Sequence, residues 1–600
     1  MGKRRKSGGE DVGGAKRTPA GRKTTEAGPA RTRGAALELG SAWVKESEDG
    51  MEVEVRLTRG EQLLVQGRAA LTVIQGTAFT HGARVTAGNT VTVTADPRSG
   101  AWLEVTARSS PGTRGEDSNT PAPTLDQDRL ETPRELGPEH PHLHVRLEPA
   151  QPRADTDPRG FQWAVQRPDR TPQSTSNVAP GRAPEPASRT AGGSASALGA
   201  GAVAGHVFGN DAWTHGVICD EAIATAVADT TQPARIAVVG PKGVGKSSLC
   251  RLLANRLLAT QGAVAWLDTD CGQPELTPPG CLSWTLLTEP LFGPPHLQQR
   301  RPDAAFFVGD TSPQHDPMKY VRAVAALAKH HAAVAPYAPL VINTHGWVRG
   351  MGLDLLADAL DAAFPSLVIA LDPPDSSKRN ANLDAVLATQ AARPHRSVTR
   401  VLGWAPQDRP GAAAAEVSEP SPEASRAAGV AVWLGACAGM RGPAAVCGGD
   451  AGGVAWDAVA LAVLGATPVA VTGGSQVKVW NVMDDREVEP HQLRGLAGAI
   501  VGLGTSDVCG SDLTASAGLA LVRSVGPGGR LYLLTDVARD VLAEVSVLLV
   551  GRLEAPRQLL RSGDGCSPHL CMHVLSGAGT GAAAQRSRSG VQRPRLAGKN

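Results

Sequence analysis

Across 600 residues the chain shows almost no net charge, no repeated cysteine spacing and no long apolar run, and each absence narrows its function. Sixty Lys and Arg stand against 58 Asp and Glu, a net charge of +2, so no acidic partner follows from the total. Nine scattered cysteines without a framework pattern fit reduced thiols in the cytosol or nucleus. The basic start is not followed by an apolar run, so it does not read as a signal peptide. The most apolar stretches, near 429–440 and 454–472, are short and rich in Ala and Gly, the second holding Asp457, and neither is a good membrane span. No N-K-x-D guanine-reading segment follows the glycine loop described below, which disfavours a GTP-driven switch.

What is present is unevenly distributed. Residues 1–35 read as a disordered basic arm, suited to nuclear import or to RNA phosphates. Between 36 and 107, Val53, Val55 and Leu57 alternate with charged residues, Leu71 and Val73 continue the pattern, and glycines punctuate it, predicting a small β domain. Residues 108–205, rich in Pro, Arg, Ser, Thr and Asp, read as a disordered linker. Its EHPHLH run at 139–144 is more readily an adventitious metal binder than a built site. In 206–404, continuous apolar runs at 236–239, 264–267, 305–308, 340–342 and 367–371 alternate with helical stretches at 247–260, 317–331 and 351–363. This alternation predicts a parallel sheet covered by helices on both faces. Residues 405–460 read as a low-complexity insertion. Residues 461–562 form a third, smaller domain with strands at 499–503, 519–522 and 531–535 and a helix around 541–549, and a basic tail follows at 563–600. The fold class is therefore α/β: a P-loop NTPase-type parallel sheet core, flanked by a small N-terminal β domain and a C-terminal mixed α/β or β domain, with long disordered linkers.

The sequence GPKGVGKS at 240–247 matches G-x-x-x-x-G-K-[ST] between a strand and a helix. Its glycines let backbone N–H groups turn toward a polyphosphate at the positive end of the following helix. Gly240, Pro241, Lys242, Gly243, Val244, Gly245, Lys246, Ser247 and Ser248 are the expected cradle, with Lys246 on the β- and γ-phosphates and the Ser247 hydroxyl on Mg²⁺. The next strand ends in LDTDCGQPE, placing Asp268 and Asp270 beside the loop at the sheet edge where ligands bind in open α/β folds. One carboxylate can help hold hydrated Mg²⁺ and the other can act as general base toward a hydroxyl; capping of a turn is the plainer alternative.

With DTDCGQ at 268–273, PELTPPG at 274–280, PLFGPP at 290–295, GDTSP at 309–313, D-P-x-x-Y at 316–320 and N-T-x-G-W at 343–347, the chain resembles the eukaryotic polynucleotide 5′-hydroxyl kinases, and within them the nucleolar branch acting on pre-ribosomal RNA. The likeness continues through GLALVR at 518–523, RLYLLT at 530–535 and G-x-L-E-x-P at 551–556. It implies transfer of the ATP γ-phosphate to the 5′-hydroxyl of RNA, or of DNA, in the nucleus and nucleolus. It implies a pre-rRNA endonuclease partner whose cut leaves that hydroxyl, and no membrane. The resemblance makes Asp270 the base, with Asp268 and Gln273 supporting metal and acceptor and Asp268 joining Ser247 at the Mg²⁺. Thr344, Gly346 and Trp347 become a clasp over the polyphosphate. The family's arginine lid falls on Arg396 and Arg400, whose spacing suits one helical face, with Arg393 near; Lys378 and Arg379 compete, and a solvated basic face is the plainer alternative. Cys566, His569, Cys571 and His573 depart from zinc-finger spacing and read as incidental. The alternative function is a scaffold for the nuclease, with ATP bound structurally.

Overall fold

The computed structural model describes residues 37–39, 42–47, 52–57, 62–80, 83–95, 103–107, 143–149, 161–166, 234–403 (apart from 374, 376 and 378), 421–440, 446, 454–473, 477–505, 513–562 and 565–566. The basic arm and most of the tail lie outside them, as do Lys378 and His569, Cys571 and His573.

The N-terminal strands β1 (Leu37–Leu39), β2 (Ala42–Glu46), β3 (Val53–Leu57), β4 (Gln62–Thr80), β5 (Ala83–Thr86), β6 (Thr90–Ala95), β7 (Leu103–Ala107), β8 (Leu143–Pro149) and β9 (Phe161–Gln166) form one antiparallel sheet. The long β4 pairs with β5, β6, β7, β8 and β9. Alternating Val53, Val55 and Leu57 are buried against Leu71, Val73, Leu143, Val145 and Leu147, the period-two pattern of a strand with one apolar face. Strands β8 and β9 correct the expected linker. Leu143, Val145 and Leu147 alternate with His144, Arg146 and Glu148, but the surrounding Pro-rich composition hides so short a signal. His144 lies 3.4 Å from Glu54, to which Arg146 also donates at 2.8 Å, so this histidine serves a strand pair; His140 and His142 are outside the described residues.

The central sheet contains β10 (Arg235–Val239), β11 (Val264–Asp268), β12 (Cys281–Leu287), β13 (Ala304–Phe307), β14 (Leu340–Asn343), β15 (Leu367–Asp372) and β16 (Ser397–Leu402), in the order β13-β12-β11-β14-β10-β15-β16. β11, β14, β10, β15 and β16 are parallel; beyond β11 the sheet continues with β12 antiparallel to β11 and β13 antiparallel to β12. Both faces of β10 are buried, as its unbroken apolar run predicts: Ile236 and Val238 pack toward helix α1 (Lys246–Gln261), Ala237 and Val239 toward α2 (Pro317–Val334) and α3 (Met351–Ala363). Helix α4 (Ala381–Ala391) joins the latter side through Leu383 and Leu387. Because the chain returns to both sides of β10, the loop after it opens at the switch point of the sheet. The expected helix through 396–400 is instead the start of β16, an edge strand whose SVTRVL sequence is polar because only one neighbour covers it.

The third sheet runs β17 (Val469–Thr472), β22 (Arg530–Leu534), β21 (Ser516–Val525), β20 (Ala499–Gly504), β23 (Val547–Glu554), β18 (Lys478–Asn481) and β19 (Arg486–Glu487). The helix expected around 541–549 is a short turn, Arg539–Leu542, followed by β23, which the core claims on both faces. The supposed insertion also contributes to the core. Helices α5 (Pro422–Cys437) and α6 (Trp456–Gly465) bury Val430, Leu434, Val459 and Val463 with Leu521 and Leu549 and with Phe307 and Cys281 of the central sheet. The two sheets meet backbone to backbone: Arg552 N donates to Gly309 O at 2.7 Å, and a Cβ on Gly551 would lie 2.1 Å from that oxygen. Among the described residues no helix is long and apolar enough to cross a membrane.

Candidate active site

The loop after β10 turns so tightly that a Cβ at Gly240 (φ 151°) would come within 2.7 Å of Leu371 O. Gly245, at φ 93°, is the N-cap of α1, so the first N–H groups of that helix face the loop's concavity. Val244 is buried beneath the loop, whereas Lys242, Gly243 and Ser248 are exposed. Lys246 is buried and donates from Nζ to Pro241 O at 3.0 Å, closing the loop on itself. Burial lowers its pKa, and the negative charge of Asp270 opposes that shift.

Behind the cradle runs a chain of polar contacts. Ser247 Oγ lies 3.5 Å from Asn343 Oδ1, and Asn343 Nδ2 donates to Asp268 Oδ1 at 3.1 Å. Asp268 also accepts from Asp270 N at 3.2 Å, Glu275 N at 2.7 Å and Trp266 Nε1 at 3.3 Å. Four donors fill the lone-pair sites of a carboxylate. Asp268 is thus fully engaged within the protein, and burial pushes its pKa up to about 7. Asn343, at the end of β14, is the group beside the Ser247 hydroxyl.

Asp270 is placed differently. Its Oδ1 accepts from Gly272 N at 2.9 Å and Gln273 N at 3.0 Å, folding the turn after β11, while Oδ2 takes part in neither bond. Gln273 is exposed at the rim. The turn is held from outside: Tyr320 OH donates to Thr269 O at 2.9 Å, and a Cβ at Gly272 would meet Thr311 O at 2.6 Å. The preceding Asp310 is buried, accepts from Thr311 N at 2.6 Å and lies 3.4 Å from Arg552 Nη1 of the third sheet. Glu275, fully buried, pairs with Arg251 Nε of α1 at 3.1 Å, and Arg251 Nη2 donates to Ser248 Oγ at 3.3 Å. These contacts explain the Tyr, Glu and Asp of the recurrent motifs as residues that fix the turn.

The 343–347 segment crosses the cradle. Thr344 Oγ1 donates to Val238 O at 2.6 Å, which commits its hydroxyl to β10. Gly346 lies so close that a Cβ there would be 3.0 Å from Lys242 Cα and from Lys246 Nζ. Trp347, 36% exposed, rests against Gly352 in the first turn of α3, and its N–H donates to His345 Nδ1 at 3.3 Å. Burial lowers the pKa of His345, with Asp270 opposing and Lys246 reinforcing the shift.

Both expected lid arginines are engaged by carboxylates. Arg396, its side chain 5% exposed, precedes β16 at the end of the sheet remote from the loop and donates to Pro365 O and Asp361 Oδ1, each at 3.1 Å. Arg400 is held by Asp372, with Nε to Oδ2 at 2.9 Å, and by Asp384 at 2.7 Å, an arrangement that raises its pKa. Arg379 joins the same pair of carboxylates, and Arg393 pairs with Asp361. Arg426 of α5 has a side chain 13% exposed; burial lowers its pKa against the opposing charges of Glu423 and Asp270. Sequence reasoning missed it because it stands alone in an Ala-rich segment. Asn343 was within a quoted motif but carried no assigned role. The arrangement offers a polyphosphate cradle at a helix start and a partly free carboxylate in the turn beside it.

Residues 240–400 match the family model described as mRNA cleavage and polyadenylation factor CLP1 P-loop. The chain is 30% identical over 356 residues to polynucleotide 5′-hydroxyl-kinase NOL9 of Arabidopsis thaliana, covering 58% of this chain and 92% of that protein. It is 28% identical over 371 residues to the Bos taurus protein of the same name, covering 55% of this chain and 51% of that one. To polynucleotide 5′-hydroxyl-kinase grc3 of Schizosaccharomyces pombe it is 37% identical over 161 residues, 25% of this chain and 22% of that one. In fold it is similar to Clp1p from a wild-type Clp1p–Pcf11p (454–563) complex, with a TM-score of 0.50 and 12% identity over 84% of this chain and 98% of that one.

Proposed function

The chain belongs to the polynucleotide 5′-hydroxyl-kinase family, and on that premise we propose that it transfers the γ-phosphate of ATP to the 5′-hydroxyl end of RNA during pre-rRNA processing. The observation that carries the reading is Asp270: one oxygen folds the turn after β11, and the other is left for a proton, beside a lysine that the loop holds over the phosphates.

In this mechanism the backbone N–H groups of 240–247 and the start of α1 bind the β- and γ-phosphates, and Lys246 turns from Pro241 O to the oxygen between them. The Ser247 hydroxyl with Asn343 suits a magnesium ion and its water, whereas Asp268 orders Asn343 and the turn. A Mg²⁺ ion held there would offset negative charge on the transferring phosphoryl group. Asp270 takes the proton of the attacking 5′-hydroxyl, with Gln273 at the acceptor rim. Trp347 and Gly346 close over the triphosphate, with Thr344 anchoring that segment to β10. Arg426 replaces Arg396 and Arg400 as the side chain that offsets charge on the equatorial oxygens.

The setting is a nucleolar one, in company with an endonuclease that leaves 5′-hydroxyl ends. The motifs at 274–280 and 290–295 and the names of the relatives support the nucleolar setting, and the endonuclease follows from the family resemblance. The test is transfer of labelled γ-phosphate to 5′-hydroxyl RNA and DNA oligonucleotides by the full chain, Lys246→Ala and Asp270→Asn. Transfer by the parent alone, stronger on RNA, is expected. Background signal from all three would replace the enzyme with a nucleotide-binding scaffold.

A further inference from the structure

The open position of the N-T-x-G-W segment is filled by His345, and the mechanism above gives that side chain nothing to do. Trp347 N donates to His345 Nδ1 at 3.3 Å. A backbone N–H can only donate, so Nδ1 is the acceptor and the ring proton sits on Nε2. Burial lowers the pKa of His345, against the opposing charge of Asp270 and with the help of Lys246, in keeping with a neutral ring. The residue is 6% exposed, Nε2 is shut off from solvent, and among the described residues it has no hydrogen-bond partner. Buried donors are almost always satisfied, so an orphan N–H of fixed tautomer calls for an acceptor.

Three contacts place the ring at the reacting end of the cleft. Strands β11 and β14 run parallel with Asp268 beside Asn343, and Thr269 N donates to Asn343 O at 2.9 Å, so two residues past that pair His345 follows Asp270 in the same register. The His345 ring lies 5.9 Å, centroid to centroid, from that of Tyr320, whose hydroxyl donates to Thr269 O at 2.9 Å. The next residue, Gly346, is so close to Lys246 that a Cβ there would lie 3.0 Å from Nζ. His345 therefore stands beside both the lysine of the cradle and the turn that carries the base.

Few acceptors suit this place. Asp270 Oδ1 is committed to Gly272 N and Gln273 N, and its other oxygen is needed for the proton of the attacking hydroxyl. That hydroxyl arrives as a donor itself. A γ-phosphoryl oxygen only accepts, carries negative charge, and comes to the place toward which Lys246 is drawn when it leaves Pro241 O. The β-phosphate is already met by the backbone N–H groups of the loop and by Lys246.

We propose that His345 Nε2–H is the donor that recognises the γ-phosphate, and that it makes the cleft select a nucleoside triphosphate over a diphosphate. This rests on reading the cleft as a phosphate-transfer site. Lys246 alone cannot supply the selection, because it serves both phosphates.

The experiment is calorimetric titration of the full chain, in Mg²⁺, with ADP and with a non-hydrolysable ATP analogue, for the parent, His345→Phe and His345→Gln. Phe keeps a ring against Tyr320 but has no N–H; Gln restores an N–H near the position of Nε2. Both remove Nδ1, so any effect of leaving Trp347 N without its acceptor is common to the two. His345→Phe is expected to weaken the triphosphate analogue about tenfold and to leave ADP within about twofold, and His345→Gln to recover most of the loss. An equal loss for both nucleotides, no loss for either, or a loss that Gln does not recover overturns the proposal and leaves His345 as a prop for Trp347. A melt without nucleotide identifies a variant that has merely unfolded; His345→Met, which also lacks the donor and fills irregular space, then stands in for Phe. The kinase reading is scored apart from this. Absence of transfer with the selectivity intact would remove the activity and keep the role of His345, whereas transfer with unchanged selectivity in the variants would keep the activity and remove that role.

Discussion

The two sides of the cleft are assembled in different ways. In the proposed mechanism the residues from Gly240 to Ser248 make the phosphate side in one continuous stretch, mainly with backbone N–H groups and a helix start. The side given there to the attacking hydroxyl is gathered from the turn after β11, the 309–320 segment, the end of β14 and helix α5. A backbone cradle keeps its geometry as long as the glycines keep theirs. A gathered site depends on contacts that look unrelated to chemistry: Tyr320 on Thr269, Thr344 on Val238, Arg552 beside Asp310. The gathered side is therefore expected to be sensitive to changes far along the chain.

The sharpest way to break this comparison is at Asp270. Asp270→Asn keeps an Oδ1 for Gly272 and Gln273 but removes the base, and kcat should fall by about 10²–10⁴-fold with ATP binding retained. If kcat is unchanged, the gathered side does not hold the base. Gly346→Ala tests how closely the two sides are joined. Its Cβ presses on Lys242 and Lys246, so kcat/KM should drop about 10²-fold while the melting temperature stays near the parent's.

The arginines separate chemistry from architecture. Arg426→Ala should lower kcat about tenfold with little change in stability. Arg396→Ala should instead cost about 1–3 kcal/mol of stability through its lost bonds to Asp361 and Pro365 and leave kcat alone. The reverse outcome would return the lid to β16.

A pH-dependent effect concerns Asp268. Its carboxyl titrates near pH 7 in the folded protein and near 4 when unfolded, so between those values the native state holds a proton that the unfolded chain has lost. Stability therefore falls as pH rises from about 4 to about 7 and levels off above. Asp268→Asn should flatten that slope in urea midpoints measured against pH.

Much of the central domain was legible because its signals are local. Five buried strands announced themselves as unbroken apolar runs, and the helix at 351–363 had the expected bounds. Where reading failed, a long-range contact decided. Strand β16 is polar enough to pass for a helix face because it lies at an edge; β23 is apolar enough to pass for a helix because cores cover both its faces. The Pro-rich context concealed β8, and Ala-rich composition concealed α5, whose Val430 and Leu434 find their partners only in the third sheet and at Phe307.

By itself the sequence determined the glycine-rich loop between strand and helix, the parallel sheet that carries it and the pair of aspartates next to it, because glycine placement and apolar periodicity act over a few residues. Only the tertiary structure decided which oxygens of each aspartate are taken and which carboxylates hold Arg396 and Arg400. Those contacts are made by segments that meet only when the sheet packs.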